Sequence, residues 1–152
     1  MRQIAIAIGY SHLDFFTLVQ LLEKYTVPAR FCATAISDTR EGPYLWKEGQ
    51  ATAEAMAVGL SKEYHAPLCI AIVAVRFVPT CAAFRSASMD IAVMLERGEL
   101  QEPIQLTPLT TRNASLAGMP KFRSPNEAHY AREAAGTLLE TIREREKTLH
   151  LV

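Results

Sequence analysis

The chain has little that would place it outside an ordinary folded interior. It has three cysteines, far apart and with no Cys-x-x-Cys pair, among 152 residues. That excludes a disulfide framework and a structural zinc site, and it points to a reducing compartment, the cytoplasm. It has no surplus of one charge: 16 Lys and Arg balance 16 Asp and Glu. A nucleic-acid binder needs a basic excess, so none is expected. It lacks a long apolar run. The longest, Pro67 to Val75, is too short to cross a bilayer, and the apolar start from Ile4 to Ile8 is too short for a secretory h-region. His65, His129 and His150 do not cluster with acids or cysteines at ligand spacing, so no metal and no cofactor are expected. No repeat, low-complexity tract or linker divides the chain. One domain over residues 1–152 is the expectation.

What the sequence does have is alternation. Gln3 to Ile8 is almost wholly apolar, as in a strand buried on both faces, and Gly9 ends it. Ser11 can cap a helix whose stripe is Phe15, Leu18, Val19, Leu22 and Tyr25, closed by Pro28. Ala29 to Ile36 is a second strand. Ser37 to Glu48 is a polar loop, and Gln50 to Tyr64 is rich in helix formers. Leu68 to Val78 is the strongest strand. Ser88 to Leu100 reads as a third helix ending near Gly98. Pro103 to Leu109 is a shorter fourth strand. Ser124-Pro125-Asn126-Glu127 starts a last helix running to about Thr148, with Tyr130, Ala134, Leu138 and Ile142 in one row.

This order predicts an α/β fold: a three-layer sandwich, flavodoxin- or Rossmann-like, with a mostly parallel sheet of four to five strands. Such sheets bind ligands beyond the carboxyl ends of their strands. The loops of interest are then Gly9 to His12, Ser37 to Tyr44, Val78 to Asp90, and Thr110 to Asn113. Arg40, Arg85 and Arg112 lie in three of them, and Arg76 lies near the end of the third strand. Guanidinium forks match phosphate oxygens, and helix starts near Ser11 and Ser86 add amide donors, so a small phosphorylated ligand is expected. Solvated loop arginines are the plain alternative.

The most informative segment reads Ser86-Ala87-Ser88-Met89-Asp90-Ile91-Ala92-Val93-Met94-Leu95-Glu96-Arg97-Gly98, then Pro103-Ile104-Gln105-Leu106. Small hydroxyl residues lead to an acid, a glycine follows eight residues on, and a strand comes next. Here the chain resembles the nucleoside 2-deoxyribosyltransferase-like group, which includes nucleotide N-glycosidases. That family's acid is usually Glu, where Asp90 stands, and its glycine two residues on is replaced by Ala92. The resemblance implies a nucleophilic carboxylate, Asp90, at the start of the third helix, cleaving or transferring at an N-glycosidic bond. A carboxylate there can stabilise the positive charge that develops on the sugar. An acid in a first helical turn can equally do no more than complement the helix dipole.

Around Asp90, Ser86 and Ser88 are candidates for sugar hydroxyls. Tyr10 is a candidate to orient the carboxylate, and His12 to act as acid or base. Gly9, Ser11, Asp38, Arg40, Arg85, Arg112 and Asn113 complete the expected substrate-binding set. Cys81 precedes a helix start, but Cys81 to Ser86 is too short and glycine-free for a phosphatase loop. Cys32 and Cys69 are core residues. Tyr44, Leu45 and Trp46 fit a lid, a base-stacking platform or a contact between copies of a homo-oligomer. Three readings stay open: an N-glycosidase or deoxyribosyltransferase, a non-catalytic nucleotide-binding or sensor module, and an oligomeric interaction protein without a small ligand.

Overall fold

A computed structural model of the chain describes residues 2–11, 13, 15–25, 29–35, 43–77, 87–106 and 127–150. They form strands β1 (Arg2–Ile8), β2 (Ala29–Ala35), β3 (Tyr44–Leu45), β4 (Leu68–Phe77), β5 (Ala87–Glu96), β6 (Glu99–Leu100) and β7 (Ile104–Gln105). The helices are α1 (Phe15–Tyr25), α2 (Trp46–Tyr64) and α3 (Glu127–His150). The architecture is α/β with one mixed sheet, in the order β2-β1-β4-β5-β6, with β3 on β4 and β7 on β5.

The apolar pattern explains the layers. β4 sits in the middle of the sheet, and Leu68 to Val75 are all buried, which is why that run shows no alternation. One face gathers Ile4, Ile6, Ile8, Ile70 and Ile72 under α1 and α3. The other gathers Ala5, Ala7, Cys69, Val73 and Val93 under α2. β1 leads to β2 on one side, and β2 leads back to β4 on the other. Right-handed crossovers in opposite lateral directions require helices on opposite faces, as α1 and α2 are. Each large aliphatic side chain enclosed this way contributes about 2 kcal/mol of transfer free energy. Burial also pushes the Cys69 thiol above the ordinary thiol range.

Strands β1, β2 and β4 and helices α1 and α2 match the pattern in the sequence closely. The following segment does not. Residues 88–100, expected as a helix, are strand β5 and the hairpin to β6. β5 pairs antiparallel with β4 from Phe77↔Ala87 to Leu68↔Glu96. β6 and β7 are also antiparallel to β5. The sheet is therefore mixed, with seven strands among the described residues instead of four or five, and β4 and β5 are antiparallel neighbours. The cause is double burial. β5 lies between β4 and the β6 and β7 strands, covered on both faces, so Met89 to Leu95 carry no polar alternation and read equally as helix. Gly98 is not a helix end. Arg97 and Gly98 have φ of 54° and 82°, the two positive values of a tight hairpin turn between Glu96 and Glu99. Of the expected fourth strand, Pro103 to Leu109, Ile104 and Gln105 form β7, and residues 107–109 lie outside the described residues.

The polar loop from Ser37 to Glu48 is likewise cut short. Tyr44 and Leu45 pair in parallel with Val75 and Arg76, and α2 starts at Trp46. At its other end, α2 closes on His65 in the left-handed region (φ 52°), whose N–H donates to Ser61 O at 3.0 Å. Glycine adopts that conformation without penalty. His65→Gly is expected to raise stability by about 0.5 kcal/mol, read as a higher urea midpoint with an unchanged m-value.

α3 follows β5 along the sheet. Tyr130 meets Asp90, and Arg145 Nη1 lies 3.8 Å from Glu96 Oε2. The helical rise between Tyr130 and Arg145 is about 22 Å. The strand between Asp90 and Glu96 extends about 20 Å. The two elements run in step, which is what lets one helix be pinned at both ends of one strand.

Among the described residues, no helix is long and apolar enough to cross a membrane, and no group of three or more His, Cys, Asp or Glu could hold a metal ion.

Candidate functional site

β1, β2 and β4 are parallel, so their carboxyl ends share one edge of the sheet. The described residues bordering every candidate loop lie at that edge. Ile8 pairs with Ala35, Tyr44 with Val75, and Phe77 with Ala87. Leu106 and Tyr130 both bond to Asp90. The chain thus leaves and re-enters the described fold at this edge around segments 36–42, 78–86 and 107–126.

Asp90 is the centre of the edge. It lies on β5 opposite Ala74 of β4, on the face covered by α1 and α3, and it is 0% exposed. An acid there must have its oxygens satisfied, since an unpaired buried charge is costly. Both are. Ser11 Oγ donates to Oδ1 at 2.7 Å, and the Tyr130 hydroxyl donates to Oδ2. Ser11 Oγ in turn accepts from Leu13 N–H at 3.0 Å, so a lone pair serves the turn and its single proton serves the acid. The main-chain carbonyl of Asp90 accepts from Leu106 N–H at 3.0 Å. One residue therefore ties together the exit from β1, the strand β5, the residue after β7, and the first turn of α3.

Asp90 is not at the start of a helix, as the resemblance implied. It is inside a strand, and the small hydroxyl Ser88 is two residues before it on the same face. Ser88 is nearly buried and pairs across the strands with Arg76. Tyr10 does not orient the acid. Its carbonyl accepts from Ala74 N–H at 2.6 Å, and its ring packs with the cluster under α2, on the opposite face from Asp90. Gly9 donates to Ile72 O at 3.0 Å. A Cβ on it would lie 3.3 Å from Val73 Cγ1, so close packing against β4 favours glycine there. His12, Asp38, Arg40, Cys81, Arg85, Ser86, Arg112 and Asn113 lie outside the described residues, as do the side chains of β2, Cys32 included. Tyr44 is core, Trp46 is half-buried against the α2 cluster, and Leu45 alone of the three is exposed.

Sequence reasoning missed Tyr130. It was placed only as the head of the apolar row of α3. The available signal was its hydroxyl: a tyrosine at the head of a buried stripe needs a polar partner within the fold.

The fold and this edge define an α/β architecture with a mixed sheet and a buried carboxylate knot near the carboxyl ends of its parallel strands. No family model matches the chain, and no curated protein does. Among solved structures it is similar to the crystal structure of protein VC0702 from Vibrio cholerae. The likeness covers 96% of this chain and 98% of that one, at 10% identity and a TM-score of 0.49. No function follows from a likeness of that size.

Proposed function

We propose that the chain is a binding module for a small phosphorylated, nucleotide-like ligand, held at the carboxyl edge of the sheet without turnover at Asp90. The observation that carries this reading is the occupancy of the Asp90 carboxylate: both oxygens take an internal donor, and the side chain is closed to solvent. A glycosidase nucleophile has to present a free oxygen to an anomeric carbon. Here the carboxylate is 0% exposed, so packed side chains would have to move before a sugar carbon could reach either oxygen. The position of the edge supports the ligand, because open α/β sheets bind there. The charges support its class, because Arg40, Arg85 and Arg112 belong to segments that begin and end there.

The experiment is a panel of nucleoside 5′-phosphates and their parent nucleosides, with binding followed by calorimetry and free base by chromatography. The expected result is saturable binding of phosphorylated members with no base released. Base release that disappears in Asp90→Asn would overturn the reading and restore an N-glycosidase or deoxyribosyltransferase. Failure of the whole panel to bind would overturn it outright.

A further inference from the structure

β3, β4 and β5 place three side chains side by side on one face of the sheet. Leu45 pairs with Arg76, and Arg76 pairs with Ser88. Paired residues on neighbouring strands point to the same side. The side is settled by their neighbours: Tyr44, Val75 and Met89, one residue away on each strand, all belong to the cluster under α2. Leu45, Arg76 and Ser88 therefore point the other way, to the face that carries Asp90. Their row is the next one outward from the Ala74↔Asp90 pair, toward the carboxyl edge.

The row is chemically mixed. Leu45 is 58% exposed. Arg76 is exposed. Ser88, beside it, is buried. Two strand spacings give the row a width of about 10 Å, suited to a small molecule. An apolar side chain exposed at one end, an exposed guanidinium in the middle and a hydroxyl residue at the other end match a ligand with a flat apolar part and an anionic part. We infer that Arg76 is the anion anchor of the ligand site, taking the phosphate of a nucleoside phosphate, with Leu45 lying against its base.

This rests on the function proposed above and adds the residue that selects for phosphate. A guanidinium can hold two phosphate oxygens at once, whereas a lysine ammonium meets them as a point charge. The strand backbone fixes the root of Arg76, so its position does not depend on the loops. Its exposure means that substitution removes no packed core atoms.

The test is calorimetric titration of the whole chain and of Arg76→Ala, Arg76→Lys and Leu45→Ser with AMP, GMP, CMP and UMP and with the four parent nucleosides. Thermal melts of each variant check that it folds. Arg76→Ala is expected to weaken the nucleotides by about tenfold or more and to leave the nucleosides unchanged, as loss of a charge-assisted bond requires. Arg76→Lys should recover part of the loss. Leu45→Ser should weaken nucleotides and nucleosides by the same factor. If the wild-type chain prefers nucleotides and Arg76→Ala keeps that preference in full, the anchor is elsewhere and this inference is wrong, while the binding function stands. If the wild-type chain binds none of the eight, the proposed function fails and takes this assignment with it.

Discussion

Asp90→Ala is expected to destabilise the fold by about 3 kcal/mol, enough to consume a large part of the margin of a typical domain. The substitution removes the acceptor for two hydroxyls at once. Tyr130 would then keep its proton at a buried site and Ser11 at a half-buried one, and each would lose its bond to the carboxylate. The cavity left by the carboxylate adds to the cost. Urea unfolding followed by circular dichroism measures the effect. Asp90→Asn keeps the volume and one carbonyl acceptor, so it should lose less than half as much. Tyr130→Phe and Ser11→Ala should each lose about 1 kcal/mol. Because both act through the same carboxylate, their double variant should depart from additivity. A loss below about 1 kcal/mol in Asp90→Ala would mean that the knot at the rim contributes little to folding.

The second large effect is at Gly49, in the first turn of α2. A Cβ there would overlap Val75 Cγ1 and lie 3.1 Å from Tyr44 Cβ. Neither neighbour can yield easily, because both side chains are buried on the α2 face and both residues belong to paired strands. Gly49→Ala should therefore force α2 away from β4, at a cost of about 3 kcal/mol. The same substitution further along the same helix supplies the control. Gly59 is exposed on α2, and an added Cβ would meet nothing within 4 Å. Gly59→Ala should stabilise by about 0.5–1 kcal/mol through helix propensity alone. Opposite signs for one chemical change within one helix are the expected outcome, read as opposite shifts in urea midpoint. A neutral Gly49→Ala would mean that α2 does not need this close approach.

Most of the first half of the chain was legible because each of its elements obeys one dominant rule. Pro28 and Gly9 punctuate α1 and β1, and β4 is long, β-branched and flanked by breakers. The second half was misread where two rules agree on different answers. Met89 to Leu95 are buried on both faces of β5, so the strand loses the alternation that would mark it. Its methionines, alanines and leucine then favour helix by propensity. Gly98 terminates a helix or turns a hairpin equally well, and only the pairing of Glu96 with Glu99 decides. The site was partly legible. Asp90 and Ser11 were chosen for their residue types and do meet, but Ser11 was placed near phosphate and Asp90 at a helix start. Tyr130 lies 40 residues away in sequence, and only the course of α3 along β5 brings it to the acid. No local pattern encodes that.

The direct antiparallel step from β4 to β5 has a consequence for how this rim can change over time. Phe77 and Ala87 already face each other as a ladder pair, so the stretch between them carries no duty of delivering the chain to a distant strand. Lengthening or trimming such a connection costs little closure entropy. Segment 78–86, which holds Cys81, Arg85 and Ser86, is thus a place where descendants, or a protein engineer, can change length and sequence at little cost to the sheet. The segments beside it, leading into α2 and α3, have helices to set down correctly and less freedom to drift.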